Sequence, residues 1–212
     1  MRTRIKICGV RDVATMSAAW KAGADAVGLV FVRESPRFIE PEHAWELVAL
    51  CPPMLATVGL FQDCELDRFI EIEQTCPTTL TQLHGSEPDK LIKECGPQLI
   101  KSVRYDPETI EAELRRLDAI DEVDMILIDG SAGGMGEALD WAELRGMLDR
   151  VKPTAPIVLA GGLTPENVGE AIRTVRPFAV DVSSGVEKAR GEKDAGLIAA
   201  FCDAVRAADH SR

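Results

Sequence analysis

An eightfold alternation of short apolar runs with helical patterns predicts an α/β fold, a single (β/α)8 TIM barrel in which residues 1–212 form one domain. Runs such as 26–31 and 156–160 are apolar on both faces, which is typical of parallel strands covered by helices. Strict repetition of strand and helix favours a closed barrel over an open doubly wound sheet. No linker rich in Ser, Gly or Pro divides the chain.

The elements are predicted in order from these runs. Strands are predicted at 5–8, 26–31, 55–61, 79–83, 99–103, 125–129, 157–160 and 178–182. Helices are predicted at 12–22, 41–50, 65–75, 87–94, 107–117, 140–148, 165–174 and 191–207. Pro41, Pro107 and Pro165 stand at predicted first turns, where a missing N–H costs nothing and the fixed φ suits a helix. Because barrels of this kind function at the carboxyl ends of their strands, polar residues there are the candidates.

Composition restricts the partners that the chain can have. Lys and Arg number 24 against 35 Asp and Glu, and this net charge of −11 disfavours nucleic-acid binding. No stretch approaches the roughly 18 consecutive apolar residues of a membrane helix, and no secretory signal is visible. The six cysteines form no C-x-x-C pair and no zinc-spaced cluster, so we expect free thiols, no metal and a cytoplasmic location. No exposed apolar helix face stands out, so we expect a monomer.

The first predicted strand ends with two polar residues on one face. Lys6 and Cys8 are two positions apart, so both face the barrel interior while Ile7 faces the helices. A thiol at the rim of the barrel can act as a base or nucleophile if its pKa falls, and Lys6 is placed to lower it. The alternative is a buried, inert cysteine. The position of Cys8 at the end of a strand, directly before Gly9, makes this alternative weaker.

The sixth predicted strand ends at Asp129, after an apolar run and before a glycine-rich stretch at 130–136. Apolar walls raise the pKa of a carboxyl group, which suits a general acid. The alternative is an aspartate that binds nearby backbone amides in a turn. The glycine-rich stretch matches neither nucleotide-binding pattern, so we interpret it as an active-site loop.

The loops after the seventh and eighth strands are predicted to bind phosphate. Gly161 and Gly162 follow one strand, and Ser183, Ser184 and Gly185 follow the next. Small residues there allow backbone N–H groups to approach an anion, and this pair of loops is the usual phosphate site of such barrels. Tight turns that need glycine for a positive φ are the alternative.

Other polar residues at the rim are weaker candidates. Arg37 follows the second strand and could hold a carboxylate through two hydrogen bonds, although a solvated loop arginine is the alternative. His84 could titrate near neutrality or form a hydrogen bond in the wall. Lys188, Arg190 and Lys193 are expected to be solvated.

Taken together, these residues resemble the phosphoribosylanthranilate isomerase family of tryptophan biosynthesis. The matching stretches run in order along nearly the whole chain: KICG at 6–9, GADAVGLVF at 23–31, SPR at 35–37, VGLF at 58–61, QLHG at 82–85, LID at 127–129, GGMG at 133–136, DW at 140–141, AGGLTPEN at 160–167 and RPFAVDVSSGVE at 176–187. The first and last of these are the most specific in combination. Met135 departs from the small hydroxyl residue that the family pattern has there.

The resemblance implies a (β/α)8 barrel that catalyses an Amadori rearrangement of a phosphorylated small molecule, N-(5-phosphoribosyl)anthranilate, without a metal or organic cofactor. It implies that Cys8 is the general base and Asp129 the general acid. Arg37 would bind the anthranilate carboxylate, with His84 and Asp181 as further substrate-binding residues. Gly161, Gly162 and the loop 183–185 would hold the phosphate.

Three alternatives stay open from the sequence. A related isomerase of histidine biosynthesis would more naturally have a carboxylate where Cys8 stands. A non-catalytic phosphate-binding barrel would be expected to have lost Cys8 or Asp129. A promiscuous enzyme that serves both pathways is also compatible, because fold does not fix function.

Overall fold

The structure is a computed structural model that describes residues 2–130 and 139–210. Its eight principal strands close into a barrel in which each strand is hydrogen-bonded to its neighbours in chain order. The first strand pairs in parallel with both the second and the eighth, which closes the sheet. The predicted (β/α)8 barrel is therefore confirmed.

Strands and helices alternate through the whole barrel. The strands are β1 Arg4–Cys8, β2 Ala26–Val30, β3 Ala56–Phe61, β4 Leu80–Leu83, β5 Leu99–Arg104, β6 Val123–Asp129, β7 Ile157–Ala160 and β8 Ala179–Val182. The helices are α1 Val13–Lys21, α2 Pro41–Ala49, α3 Leu66–Thr75, α4 Asp89–Cys95, α5 Ile110–Asp118, α6 Trp141–Val151, α7 Val168–Val175 and α8 Ala195–His210. A short 3₁₀ helix, Ser184–Val186, and a hairpin of β9 Glu187–Ala189 and β10 Glu192–Lys193 stand between β8 and α8.

The apolar side chains form two layers, because successive side chains of a strand point to opposite faces. The larger layer lies between strands and helices and includes Ile7. The smaller fills the barrel interior, and its buried members are Val58, Ile100, Leu127, Val158, Ala160 and Ala179. Cys8 packs above it against Val30 and Leu60. The predicted orientation of Ile7 towards the helices and Cys8 towards the interior is confirmed.

Three predicted helix starts are wrong. The helices after β5 and β7 begin at Ile110 and Val168, three residues after their prolines. Local side chains form turns there instead, since the Asp106 carboxylate accepts from the N–H of Glu108 at 2.9 Å and the Asn167 side chain accepts from the N–H of Thr164 at 2.8 Å.

The third error concerns the segment before the last helix. Residues 191–194, predicted to be helical, belong to the β9–β10 hairpin and its exit, and α8 begins only at Ala195. Gly191 has a φ of 82°, which breaks the helical backbone at that position. This hairpin adjoins the carboxyl ends of the strands and contributes to the site.

Candidate active site

A cavity of about 300 Å³ opens at the carboxyl ends of the strands. Its lining brings together the candidate residues Cys8, Arg37, His84, Asp129, Gly161, Gly162, Asp181, Ser183 and Ser184. Residues distant in sequence thus meet at the end of the barrel where the fold class places function. The volume suits a small phosphorylated molecule, at the lower end of the range of ligand pockets. Gly185 is the one predicted site residue outside this lining.

Cys8 lies at the end of β1 with 5% of its surface exposed. The backbone of Gly28 on β2 passes so close that an added Cβ would lie 2.8 Å from the sulfur of Cys8. Burial raises the pKa of the Cys8 thiol, the Lys6 ammonium opposes that shift, and Asp181 adds to it, so that the pKa stays above its ordinary value. Lys6 therefore lowers the pKa of Cys8, as predicted, but the larger effect of burial keeps that pKa above its ordinary value.

Lys6 and Asp181 form a buried ion pair beneath the cavity. The register of β1 against β8 places the two residues opposite each other, and Lys6 Nζ lies 2.9 Å from Asp181 Oδ1. Burial lowers the pKa of Lys6, but the charges of Asp181 and Cys8 outweigh this and raise it above its ordinary value. Lys6 consequently stays charged beside the thiol.

Asp129 ends β6 across the cavity and is in contact with a histidine. His84 Nε2 lies 3.3 Å from Asp129 Oδ2. On the other side of the ring, His84 Nδ1 lies 2.9 Å from the amide Nε2 of the fully buried Gln82. When that amide donates to Nδ1, the proton of the neutral ring is on Nε2 and faces Asp129. Gln82 is not among the residues predicted from the sequence, because only its position two residues before His84 on β4 indicates this role.

Arg37 is held by an unpredicted partner. Its guanidinium donates from Nε to Glu187 Oε1 at 2.7 Å and from Nη2 to Oε2 at 2.9 Å. Lys193 Nζ also donates to Glu187 Oε1, at 2.7 Å. The expectation that Lys193 is solvated is wrong, because only 3% of its side chain is exposed, whereas Lys188 is exposed as expected.

The two loops predicted to bind phosphate lie side by side. Gly161 and Gly162 have φ values of 87° and 65°, in the left-handed region that favours glycine. A Cβ at Gly185 would lie 1.9 Å from the carbonyl oxygen of Leu163, so glycine there permits the close approach of the two loops. Both the phosphate-site and the tight-turn interpretations are compatible with this backbone.

Residues 2–130 and 139–210 contain neither a metal-ligand cluster nor a membrane-spanning helix. No group of three or more His, Cys, Asp or Glu side chains in these ranges could hold a metal ion. No helix in the same ranges combines the length and apolarity needed to cross a membrane. The glycine-rich loop with Met135 lies outside the described residues.

Comparison with known proteins agrees with this geometry. The family model of N-(5′-phosphoribosyl)anthranilate (PRA) isomerase matches residues 5–204. The chain belongs to this family. A curated phosphoribosylanthranilate isomerase of Moorella thermoacetica is 44% identical over 97% of this chain and 91% of its own length. One of Pseudomonas putida is 41% identical over 97% of this chain and 98% of its own length.

Solved phosphoribosylanthranilate isomerases share the whole barrel. The crystal structure from Thermotoga maritima superposes with a TM-score of 0.86 at 36% identity, and covers 97% of this chain and 99% of its own. A second, in complex with reduced 1-(o-carboxyphenylamino)-1-deoxyribulose 5-phosphate, has a TM-score of 0.84 at 36% identity over the same shares of both chains. Among the families that the sequence left open, these matches therefore favour phosphoribosylanthranilate isomerase.

Proposed function

We propose that the cavity catalyses the Amadori rearrangement of N-(5-phosphoribosyl)anthranilate to 1-(2-carboxyphenylamino)-1-deoxyribulose 5-phosphate, with Cys8 as general base and Asp129 as general acid. The observation that carries this proposal is that the thiol and the carboxylate, from β1 and β6, line one cavity between Arg37 and the glycine-containing loops. A substrate with a carboxylate at one end and a phosphate at the other fits that order of groups.

The first step opens the ribofuranose ring. Asp129, in its protonated form, gives its proton to the ring oxygen as the bond from that oxygen to C1′ breaks. The lone pair of the anthranilate nitrogen forms a double bond to C1′, which yields an iminium ion and an Asp129 carboxylate. His84, in contact with Asp129 Oδ2, holds the carboxyl group towards the cavity. We assign His84 this positioning role together with substrate contact.

The second step moves a proton from carbon. The iminium ion withdraws electrons from C2′, so the Cys8 thiolate removes the C2′ proton and the C–H electrons form the C1′–C2′ double bond. The resulting enolamine takes up a proton at C1′ and loses one from the 2′ oxygen, which gives the ketone. Protons gained and lost balance over the two steps. Because the substrate supplies its own electron sink, the chemistry needs no further group to accept electrons.

Loss of Lys6 is expected to raise the pKa of the Cys8 thiol further. Lys6→Met removes the cation that opposes the effect of burial, so the thiolate fraction at neutral pH falls. The rising limb of kcat/KM against pH should therefore move to higher pH. The pKa can be measured by mass spectrometry of Cys8 alkylation across a pH series. Cys51, at the opposite end of the barrel, is the internal reference, and an unchanged Cys8 profile would contradict the role of Lys6.

Arg37→Ala should act mainly on KM. If Arg37 binds the anthranilate carboxylate equally in the ground and transition states, its loss weakens binding without slowing chemistry. Loss of a charge-assisted hydrogen bond should raise KM by about 10- to 100-fold. Steady-state kinetics separate the two constants, and a large fall in kcat with an unchanged KM would remove this assignment. Arg190→Ala, an exposed arginine of the nearby hairpin, is the control.

The reaction itself is tested by mixing purified protein with freshly generated phosphoribosylanthranilate and following the loss of its anthranilate fluorescence. We expect decay that depends on enzyme concentration. The product is identified by comparing its mass and its chromatographic retention time with those of synthetic 1-(2-carboxyphenylamino)-1-deoxyribulose 5-phosphate. Absence of decay with a folded protein would overturn the proposed function, and turnover of the histidine-pathway substrate in the same panel would reveal the promiscuous alternative.

A cytoplasmic location and a monomeric state remain predictions from composition. The six cysteines are all free, which suits a reducing compartment. We propose that the protein acts there as a monomer on a small phosphorylated molecule.

A further inference from the structure

We propose that Glu187 is a positioning residue that determines which edge of the Arg37 guanidinium faces the ligand, and that it thereby sets the preference of the site for a substrate with a carboxylate. This inference rests on the proposed role of Arg37 and extends it to the β9–β10 hairpin.

The contacts of Arg37 use one edge of its guanidinium completely. Nε and one hydrogen of Nη2 donate to the two oxygens of Glu187, at 2.7 and 2.9 Å. A guanidinium has five N–H groups in a fixed planar fork. The three that remain are both hydrogens of Nη1 and the outer hydrogen of Nη2. Arg37 therefore offers its end-on edge, with Nη1 and Nη2 side by side, which matches the two oxygens of a carboxylate.

Glu187 is itself fixed from three directions. Besides Arg37, it accepts from Lys193 Nζ at 2.7 Å and from the N–H of Gly191 at 3.1 Å, and only 4% of its side chain is exposed. Burial raises the pKa of Glu187, but the hydrogen bonds from Arg37 and Lys193 outweigh it and lower the pKa to about 2. The carboxylate thus keeps its charge and orientation throughout the pH range in which the enzyme is assayed.

The same hairpin joins the two ends of the cavity. Lys193 Nζ also donates to the carbonyl oxygen of Ser183 at 2.9 Å, and lies 3.2 Å from its Oγ, in the loop proposed to bind phosphate. At the hairpin turn, a Cβ on Gly191 would lie 2.7 Å from the carbonyl oxygen of Pro36, the residue before Arg37. Glu187 and Lys193 therefore link the arginine to the loop after β8 through direct contacts.

A purely structural role would not require this arrangement. Replacing a buried ion pair by apolar residues is often neutral for stability. Here the paired arginine also lines the cavity, with 21% of its side chain exposed, while its partner faces away from solvent. The pairing occupies the edge of the guanidinium that carries Nε and leaves the Nη1–Nη2 edge to a ligand, which is the arrangement expected of a group that orients another.

The test measures binding, so that it does not depend on catalysis. The probes are the reduced product, 1-(2-carboxyphenylamino)-1-deoxyribitol 5-phosphate, and the same molecule without the carboxylate. Calorimetric titration gives the ratio of their dissociation constants for the parent protein, Glu187→Gln, Glu187→Asp and Arg37→Ala. Glu192→Gln, which removes the exposed Glu192 partner of Lys188 in the same hairpin, is the matched control.

We expect Glu187→Gln to lower the preference for the carboxylate-bearing probe by about tenfold, because the neutral amide cannot accept from both Nε and Nη2. Affinity for the probe without the carboxylate should stay the same, as should the ratio in Glu192→Gln. In the Arg37→Ala background, Glu187→Gln should change the ratio no further, since non-additivity marks residues that act together.

Each remaining outcome has a distinct meaning. If Arg37→Ala lowers the ratio and Glu187→Gln does not, the inference is overturned while the role of Arg37 stands. If Arg37→Ala leaves the ratio unchanged, the proposed carboxylate site itself is wrong. Should Glu187→Gln not fold, Glu187→Asp keeps the charge but shortens the reach, and an unchanged ratio in that variant would overturn the inference in the same way.

Discussion

Asp129→Asn should lower kcat by on the order of 10²–10⁴-fold, the range found for general acid–base groups. Asparagine keeps the shape of the side chain and a polar contact for His84 Nε2, which lies 3.3 Å from Asp129 Oδ2 in the parent chain. An amide cannot give a proton to the ring oxygen, so the ring-opening step loses its acid. Substrate binding should change little. Loss of anthranilate fluorescence at saturating substrate measures the effect directly.

The matched control for this variant is Asp121→Asn. Asp121 is exposed and lies just before β6, at the end of the barrel away from the cavity. The same chemical change there should leave kcat and KM at parent values. Turnover like that of the parent in Asp129→Asn, with an equal unfolding temperature, would remove the role of general acid from Asp129.

Six of the eight strand ends could be predicted from where the strand patterns stop, and β2 and β5 end one residue away from the prediction. The predicted ends at Cys8, Asp129, Ala160 and Val182 are the observed ends of β1, β6, β7 and β8. In a closed parallel barrel these ends lie at one rim, so the topology alone brings the thiol and the carboxylate together. Period-2 alternation then places Cys8 and Lys6 on the interior face.

The hairpin contacts could not be predicted in this way. Arg37 and Glu187 are 150 positions apart, and each stands in a short polar segment that local patterns assign to solvent. Burial of Lys193 depends on the Glu187 carboxylate, which lies six residues earlier and comes beside it only when the β9–β10 hairpin forms, since an unpaired ammonium would be too costly to bury. Helix and strand propensities carry no information about this pairing. They therefore predict an exposed Lys193 and a helix that includes residues 191–194.

Only one of the influences on the pKa of Cys8 could be predicted from the sequence. The two-residue spacing indicates that Lys6 favours the thiolate. The opposing contribution comes from the depth of the sulfur in the barrel and from Asp181 on β8, neither of which local sequence reveals. Burial prevails, so the resting thiol is largely protonated near neutral pH. The rate should therefore rise with pH as the thiolate fraction of Cys8 increases.

Cys8→Ala should also lower kcat by on the order of 10²–10⁴-fold, because no base then removes the C2′ proton. Alanine fits the space beside Gly28 and leaves the Lys6–Asp181 pair in place, so the reduced product analogue should still bind. Cys64→Ala, which removes a half-buried thiol outside the cavity lining, is the control and should retain parent kinetics.

Substrate deuterated at C2′ distinguishes the two catalytic roles. In Cys8→Ala, proton removal from carbon becomes limiting, so the residual rate should show a large primary isotope effect. In Asp129→Asn, ring opening becomes limiting and precedes that step, so the residual rate should show almost none. Single-turnover fluorescence traces with both substrates measure these effects. An equal isotope effect in the two variants would mean that the thiol and the carboxylate do not act on separate steps, which would contradict their assignment as base and acid.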